Sequence, residues 1–272
     1  MSALPDLADR AASGLATLDY PALLFTFLAF AAMVAMARLV GLRMGREALI
    51  AAVRGTIQLL IVGLVFLAVV EEGSPYIIGL VFLVMVVAAG WTATATSRRT
   101  GLFPLASLVI TVATALLVVP LVLLDLFETR PLFLIPVAGM VIGNAMNATA
   151  LGLDRMEREL AVTLPQTEAR LALGYPERAT VLPALRETVH AALLPTMNTL
   201  RTVGLVHLPG MMTGMLLAGA DPLFAVEMQL VIILVILVAA FLASATMALV
   251  IRERFVRDLS AVGLDDWREK KE

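Results

Sequence analysis

The chain has 272 residues, of which 60% are hydrophobic and 15% charged, and its mean hydropathy is +0.94. Soluble domains average about 45–50% apolar and 25% charged, so this composition excludes a soluble enzyme and points to an integral membrane protein. A net charge of −2 gives no field for nucleic acid. The absence of cysteine excludes disulfides, iron–sulfur clusters and thiol chemistry, and two histidines, His190 and His207, make no histidine-rich metal cage.

In chain order, residues 1–20 hold one arginine and three aspartates with no basic region before a cleavage site. They read as an extracytoplasmic segment, not a cleavable signal. Seven stretches then supply the roughly 20 apolar residues that a crossing needs: Pro21–Val40, Ala48–Val70, Pro75–Ala95, Leu102–Leu124, Pro131–Leu153, Val189–Val206 and Pro222–Ile251. Ser74-Pro75, Thr129-Arg130-Pro131 and Asp221-Pro222 put capping side chains beside helix-starting prolines. Met211–Ala220, after Pro209-Gly210, is too short to span and reads as a broken or re-entrant half-helix. The expected fold is all-α and polytopic, with about seven transmembrane helices and a half-helix before the last.

Of the 20 basic residues, sixteen fall on one side of these spans and two on the other, with Arg54 and Arg201 inside them. The positive-inside rule then puts the N-terminus outside and the C-terminus in the cytoplasm. The expected division is helices one to five over 21–153, a cytoplasmic segment over 154–187, helices six and seven over 188–251 with the half-helix at 211–220, and a cytoplasmic tail over 252–272. The segment Asp154–Glu187, about 34 residues rich in Glu and Arg, patterns as short amphipathic helices. It reads either as a solvated connector or, given its length, as a docking surface.

Polar residues within spans are costly and mark pathways. Arg54 and Gln58 share a face of span two, where Arg54 either snorkels to the surface or serves the path. Asn144 and Asn147 share a face of span five beside a Gly139/Gly143 G-x-x-x-G, which reads as helix packing or as a polar stripe. Asn198, Arg201 and Thr202 lie on span six. Arg201 and Glu227 fall at similar depth and are expected to pair or to share a substrate. The methionines Met140, Met146, Met197, Met211, Met212, Met215 and Met228 read as apolar filler or as soft-metal thioethers. No metal-ligand set is legible.

The stretches IPVAGMVIGNAMNA (Ile135–Ala148), AALLPTMNTLRTVGLVHLPGMMTG (Ala191–Gly214), AGADPLFAVEMQ (Ala218–Gln229) and RGTIQLL around Arg54 and Gln58 resemble the FetB/YbbM-type permeases. These are membrane subunits of an ABC transporter implicated in iron export, with plant relatives linked to aluminium tolerance and nucleotide-sugar transport. The resemblance runs from about Arg46 to Phe255. His207, Met215 and Glu227 depart from it: small, polar and basic residues respectively are common there in the family.

The resemblance implies a homodimeric permease in the cell (inner) membrane, among lipid and with no nucleic-acid partner, worked by a cytoplasmic ABC ATPase subunit. Glu168-Ala169-Arg170-x3-Gly174 then matches the E-A-A-x3-G spacing of permease coupling segments, with Arg170 for the second alanine. The chain has only Lys270 and Lys271 and so no Walker A lysine. ATP and Mg are expected on the partner, and this chain is expected to bind no cofactor and to catalyse nothing. Resemblance and depth together place Arg54, Gln58, Asn144, Asn147, Asn198, Arg201 and Glu227 along the substrate path. Leu208, Pro209, Gly210, Met211 and Met212 form its break, and Glu168, Ala169 and Gly174 carry coupling. The cargo reads as iron or another metal species. An anionic or nucleotide-sugar-like cargo is the alternative, because two intramembrane arginines face one acid. An ATP-independent channel or a membrane scaffold is the alternative class. Paired aspartates, a Ser-His arrangement or H-E-x-x-H, which an intramembrane enzyme would need, do not occur.

Overall fold

The computed structural model describes residues 20–41, 44–72, 75–95, 101–126 and 131–262, and every regular element among them is a helix. In chain order these are α1 (Tyr20–Leu39), α2 (Met44–Glu72), α3 (Pro75–Thr94), α4 (Phe103–Leu123), α5 (Pro131–Val162), α6 (Leu164–Ala172), α7 (Glu177–Thr180), α8 (Leu182–Thr202), α9 (Gly210–Leu217) and α10 (Pro222–Val262). Most of the expected segment 1–20, the tail beyond Val262, and the caps Ser74 and Thr129 lie outside the described residues.

The chain divides into two compact units, Met1–Ser74 and Pro75–Glu272. In the first, α1 and α2 pack together, and a Cβ on Gly45 would come within 3.4 Å of Val34. Most of the remaining apolar side chains of α1, such as Phe25, Leu28 and Met36, are exposed, as suits a lipid solvent.

The second unit is built on α5 and α10. α10 buries Ala225, Met228, Ile232, Ala239, Ala243, Met247, Ile251 and Phe255, a run at spacings of three, four and, once, seven residues that keeps one stripe facing inward. Its alanines and Ser244 let α5 come close: a Cβ on Gly152 would sit 3.4 Å from the Ser244 carbonyl. α3 and α4 meet most tightly at Gly90, where an added Cβ would lie 3.0 Å from the backbone of Ser107. The expected G-x-x-x-G approach is weaker than these. A Cβ on Gly139 would touch only the flexible end of Met85, and one on Gly143 would meet nothing.

Local chemistry starts and stops the helices as read from sequence in several places. Asp221 Oδ1 accepts from the backbone N–H of Leu223 (2.9 Å) and of Phe224 (3.1 Å), capping α10 ahead of Pro222. The half-helix α9 follows Pro209 and is closed by Gly219 at φ +86°.

Among the described residues five helices are long and apolar enough to cross a membrane, over Pro21–Leu39, Tyr76–Thr94, Phe103–Leu123, Phe133–Val162 and Pro222–Asp258. This is a multi-pass all-α membrane protein. Of the other two expected crossings, Ala48–Val70 lies within α2 and most of Val189–Val206 within α8. α8 also carries Arg186, Glu187, His190, Asn198 and Arg201, which lower its hydropathy.

Two helices run past the boundaries expected for them. α5 has 32 residues and α10 has 41, about 48 and 61 Å at 1.5 Å per residue, where about 30 Å crosses the hydrocarbon. The reason is a core of Leu153, Met156, Leu160, Leu164, Val181, Ala184, Ile251 and Phe255, which continues the buried stripes among the charged residues and packs α6 and α7 against them.

Candidate functional site

A cavity of about 210 Å3 opens between α5, α8 and α10. α5 contributes Met140, Asn144, Asn147, Ala148 and Leu151. α8 contributes Ala192, Pro195, Thr196 and Thr199, and α10 contributes Gln229, Ile233 and Ile236. His207 and Pro209 close it from the loop before α9.

Each helix presents its polar residues for a local reason. Asn144 and Asn147 are three apart and so share a face. Asn144 Nδ2 donates to the Met140 carbonyl at 2.8 Å, leaving its own carbonyl for other partners. Pro195 has no N–H, so α8 forgoes one helical hydrogen bond beside the cavity, while Thr199 Oγ1 donates to the Pro195 carbonyl at 3.1 Å. After Thr202 the chain turns through Gly204 (φ +80°), whose N–H donates to the His207 carbonyl at 3.0 Å. A Val203–His207 bridge closes this loop and sets His207 at the cavity.

A second cavity of about 350 Å3 lies beyond the same loop, lined by Val203, Gly204, Leu208, Met212, Val226, Gln229, Leu230 and Ile233. Gln229 and Ile233 therefore border both. Gln229 is only 8% exposed, and its Oε1 is buried and accepts no hydrogen bond.

The residues expected along the path fall into distinct places. Asn144 and Asn147 line the cavity. Asn198 and Arg201 are exposed on α8 outside its lining, with Arg201 Nη1 donating to Asn198 Oδ1 at 3.3 Å. The expected Arg201–Glu227 ion pair is not formed among the described residues. Glu227 is exposed on α10 while Gln229, two positions on, is buried, because a step of two residues turns about 200° around a helix. Arg54 and Gln58 lie in the other unit, on one exposed face of α2 with Leu49, Ile50, Val53 and Ile57.

Of the expected break, Pro209 borders the first cavity and Leu208 and Met212 the second, while Met211 packs into an apolar cluster with Val137, Met140, Met215, Met228 and Ile232. This packing uses those methionines as filler. Gln229, Thr196, Thr199 and His207 are the cavity residues that the sequence did not single out for the path. Their sequence signal is their place in the strings PTMNT, VHLPG and VEMQ and, for His207, its departure from the small residue common there in the family. Among the described residues no three His, Asp or Glu are grouped to hold a metal.

In the segment expected to carry coupling, Glu168 is half-buried and Ala169 and Gly174 are exposed. Gly174 adopts φ +82° and ends α6, with its N–H donating to the Leu171 carbonyl (2.9 Å) and that of Tyr175 to the Arg170 carbonyl (3.1 Å). This left-handed helix stop favours glycine. Arg170, the departure from the spacing motif, donates to the Thr180 carbonyl at 3.4 Å and ties α6 to the end of α7. Leu173 and Tyr175 stand exposed at the tip between the two helices.

Two of the apolar helices long enough to span enclose, with α8, a cavity that carries amides and hydroxyls, and the whole is a polytopic membrane protein. Residues 20–256 match the uncharacterised protein family UPF0014, and the chain belongs to that family. It is 36% identical to Protein ALUMINUM SENSITIVE 3 of Arabidopsis thaliana over 196 residues, 71% of each chain. It is 34% identical to the UPF0014 membrane protein STAR2 of Oryza sativa subsp. japonica over 199 residues, 73% of this chain and 70% of the relative. It is 33% identical to the Probable iron export permease protein FetB of Escherichia coli (strain K12) over 192 residues, 70% of this chain and 74% of the relative. No solved structure matches.

Proposed function

We propose that the chain is the membrane-spanning permease subunit of an ABC exporter, a homodimer in the cell membrane driven by ATP hydrolysed on a separate cytoplasmic subunit. In this reading α2 and α8 complete seven crossings, the N-terminus is outside and the C-terminus is cytoplasmic. The cavity between α5, α8 and α10 receives the cargo, and α6–α7 with its Leu173–Tyr175 tip docks on the ATPase.

One observation carries this reading. The three helices that line the cavity also share the buried core that holds α6 and α7. A push on that segment therefore reaches the cavity through continuous helices, without crossing a loop. The chain supplies no phosphate-binding loop of its own, so the energy comes from a partner.

The name of the Escherichia coli relative supports iron as cargo. The cavity lining holds no carboxylate, whereas bare hard cations favour carboxylate oxygens, so a metal crosses as a complex. The second reading, an anionic or nucleotide-sugar-like cargo, rests on Arg54 and Arg201, since the cavity lining itself holds no Lys or Arg. The test is uptake into inside-out vesicles holding this chain and its ATPase, comparing iron with candidate anions. ATP-dependent uptake supports the exporter. Flux without ATP or partner supports a channel and overturns it.

A further inference from the structure

We propose that the α5–α8–α10 cavity is a binding site for an uncharged, hydroxyl-bearing ligand, recognised through the amide of Gln229. The proposal deepens the permease reading and rests on it for the ligand's role as cargo, though not for the binding itself.

The orphaned amide is the starting point. Gln229 is 8% exposed and its Oε1 has no donor. Buried acceptors are rarely left unmet, since desolvating one without a partner is unfavourable. Rotation about the terminal torsion, which is broad and roughly two-fold, presents either the oxygen or the nitrogen to the cavity that Gln229 lines. A guest hydroxyl that donates to Oε1 meets the unmet need.

The rest of the polar lining has the same character. It consists of Asn144, Asn147, Thr196, Thr199 and His207, with no Asp, Glu, Lys or Arg. Thr199 spends its hydroxyl hydrogen on the Pro195 carbonyl, and Asn144 spends one amide hydrogen on the Met140 carbonyl. Their oxygens keep lone pairs, and Asn144 keeps a second N–H. The amides and hydroxyls of the wall thus offer accepting oxygens and a few donors without charge.

Ligand classes separate on this chemistry. A bare divalent cation would lack carboxylates to offset its charge in a low-dielectric site. A phosphate would lack the Arg or Lys that usually pairs with it. A hydroxyl group donates one hydrogen bond and accepts two, which matches uncharged amides and hydroxyls. A metal passing this point would then be recognised by the hydroxyl groups of an organic shell around it.

The experiment measures binding to the full chain in nanodiscs by equilibrium dialysis, without ATP or partner. The probes are radiolabelled myo-inositol, ferrous ion alone and inorganic phosphate alone. Saturable inositol binding is expected, with iron and phosphate at background. Gln229→Leu should weaken it about tenfold, the equivalent of one lost hydrogen bond. Thr199→Val, at an exposed position of the wall, should weaken it in the same direction and serves if Gln229→Leu fails to fold. Absence of saturable inositol binding overturns the proposal. So does binding unchanged in the folded variants, or tighter binding of ferrous ion or phosphate. Failure of ATP-driven transport would sink the permease reading and leave this binding result standing.

Discussion

Arg178 Nη2 lies 2.9 Å from Glu253 Oε2, joining α7 to the lower part of α10 across 75 residues of sequence. The other oxygen of Glu253 accepts from Arg252 Nε (3.1 Å) and Nη2 (2.7 Å). Glu253 thus sits where the segment proposed to dock on an ATPase meets the helix that carries Gln229. Gln229 and Glu253 are 24 residues apart on one unbroken helix, a separation of about 36 Å.

Arg178 is 70% exposed, so the clasp contributes little to folding. Its effect should fall on coupling. Arg178→Glu and Glu253→Arg should each lower the ATPase activity stimulated by this chain while thermal melting barely moves. The double reversal should recover part of that activity. Recovery is incomplete because the arginine introduced at position 253 would stand beside Arg252. Steady-state ATPase assays of the reconstituted pair decide it, and equal loss in single and double variants would count against a clasp.

Gly174 tests whether the spacing motif has a backbone cause. At φ +82° a side chain other than Asn or Asp strains the chain by about 1–2 kcal/mol. Gly174→Val should lower the melting temperature and impair ATPase docking, whereas Gly174→Asn should be the best tolerated substitution. Equal tolerance of both in melting and co-purification would show that the glycine does not set this turn.

Gly90 should prove the least replaceable glycine of α3. Gly90→Ala drives a methyl into Ser107, an overpacking that costs about 1–3 kcal/mol. Ser107→Gly should restore only part of the loss, because the backbone at position 107 stays close to the new methyl. Gly143→Ala, which meets nothing within 4 Å in the described residues, should be close to neutral. Denaturation monitored in detergent compares the three variants.

Arg201 and Glu227 should behave independently. They form no ion pair among the described residues, and Arg201 already bonds Asn198. Distant sites add within about 0.5 kcal/mol, so Arg201→Ala and Glu227→Ala should sum in a double-mutant cycle of stability. A coupling above that margin would restore the pair.

What was legible in the sequence was legible because it is local. Asp221-Pro222 announces the start of α10 through capping atoms two and three residues away. Pro209-Gly210 announces α9, and the shared face of Asn144 and Asn147 follows from a spacing of three. The extensions of α5 and α10 were not legible. Met156, Leu160 and Phe255 stand among charged residues, and only packing between distant segments shows that they form one core. Gln229 stands two positions from Glu227 in the sequence, and which of the two faces inward depends on the rotation of α10 against α5. That phase is set by Ala239, Ala243 and Gly152 many residues away.

A transport path through the α5–α8–α10 cavity is tested most directly by cargo-dependent ATP hydrolysis. The chain is reconstituted with its ATPase, and wild type is compared with the cavity variant Asn147→Ala. Asn147 is exposed to the cavity and its loss should leave the fold intact. Basal hydrolysis should be unchanged, and the response to cargo should shift to concentrations about tenfold higher. An unchanged cargo response in Asn147→Ala, with the variant folded and assembled, would contradict a transport path through this cavity.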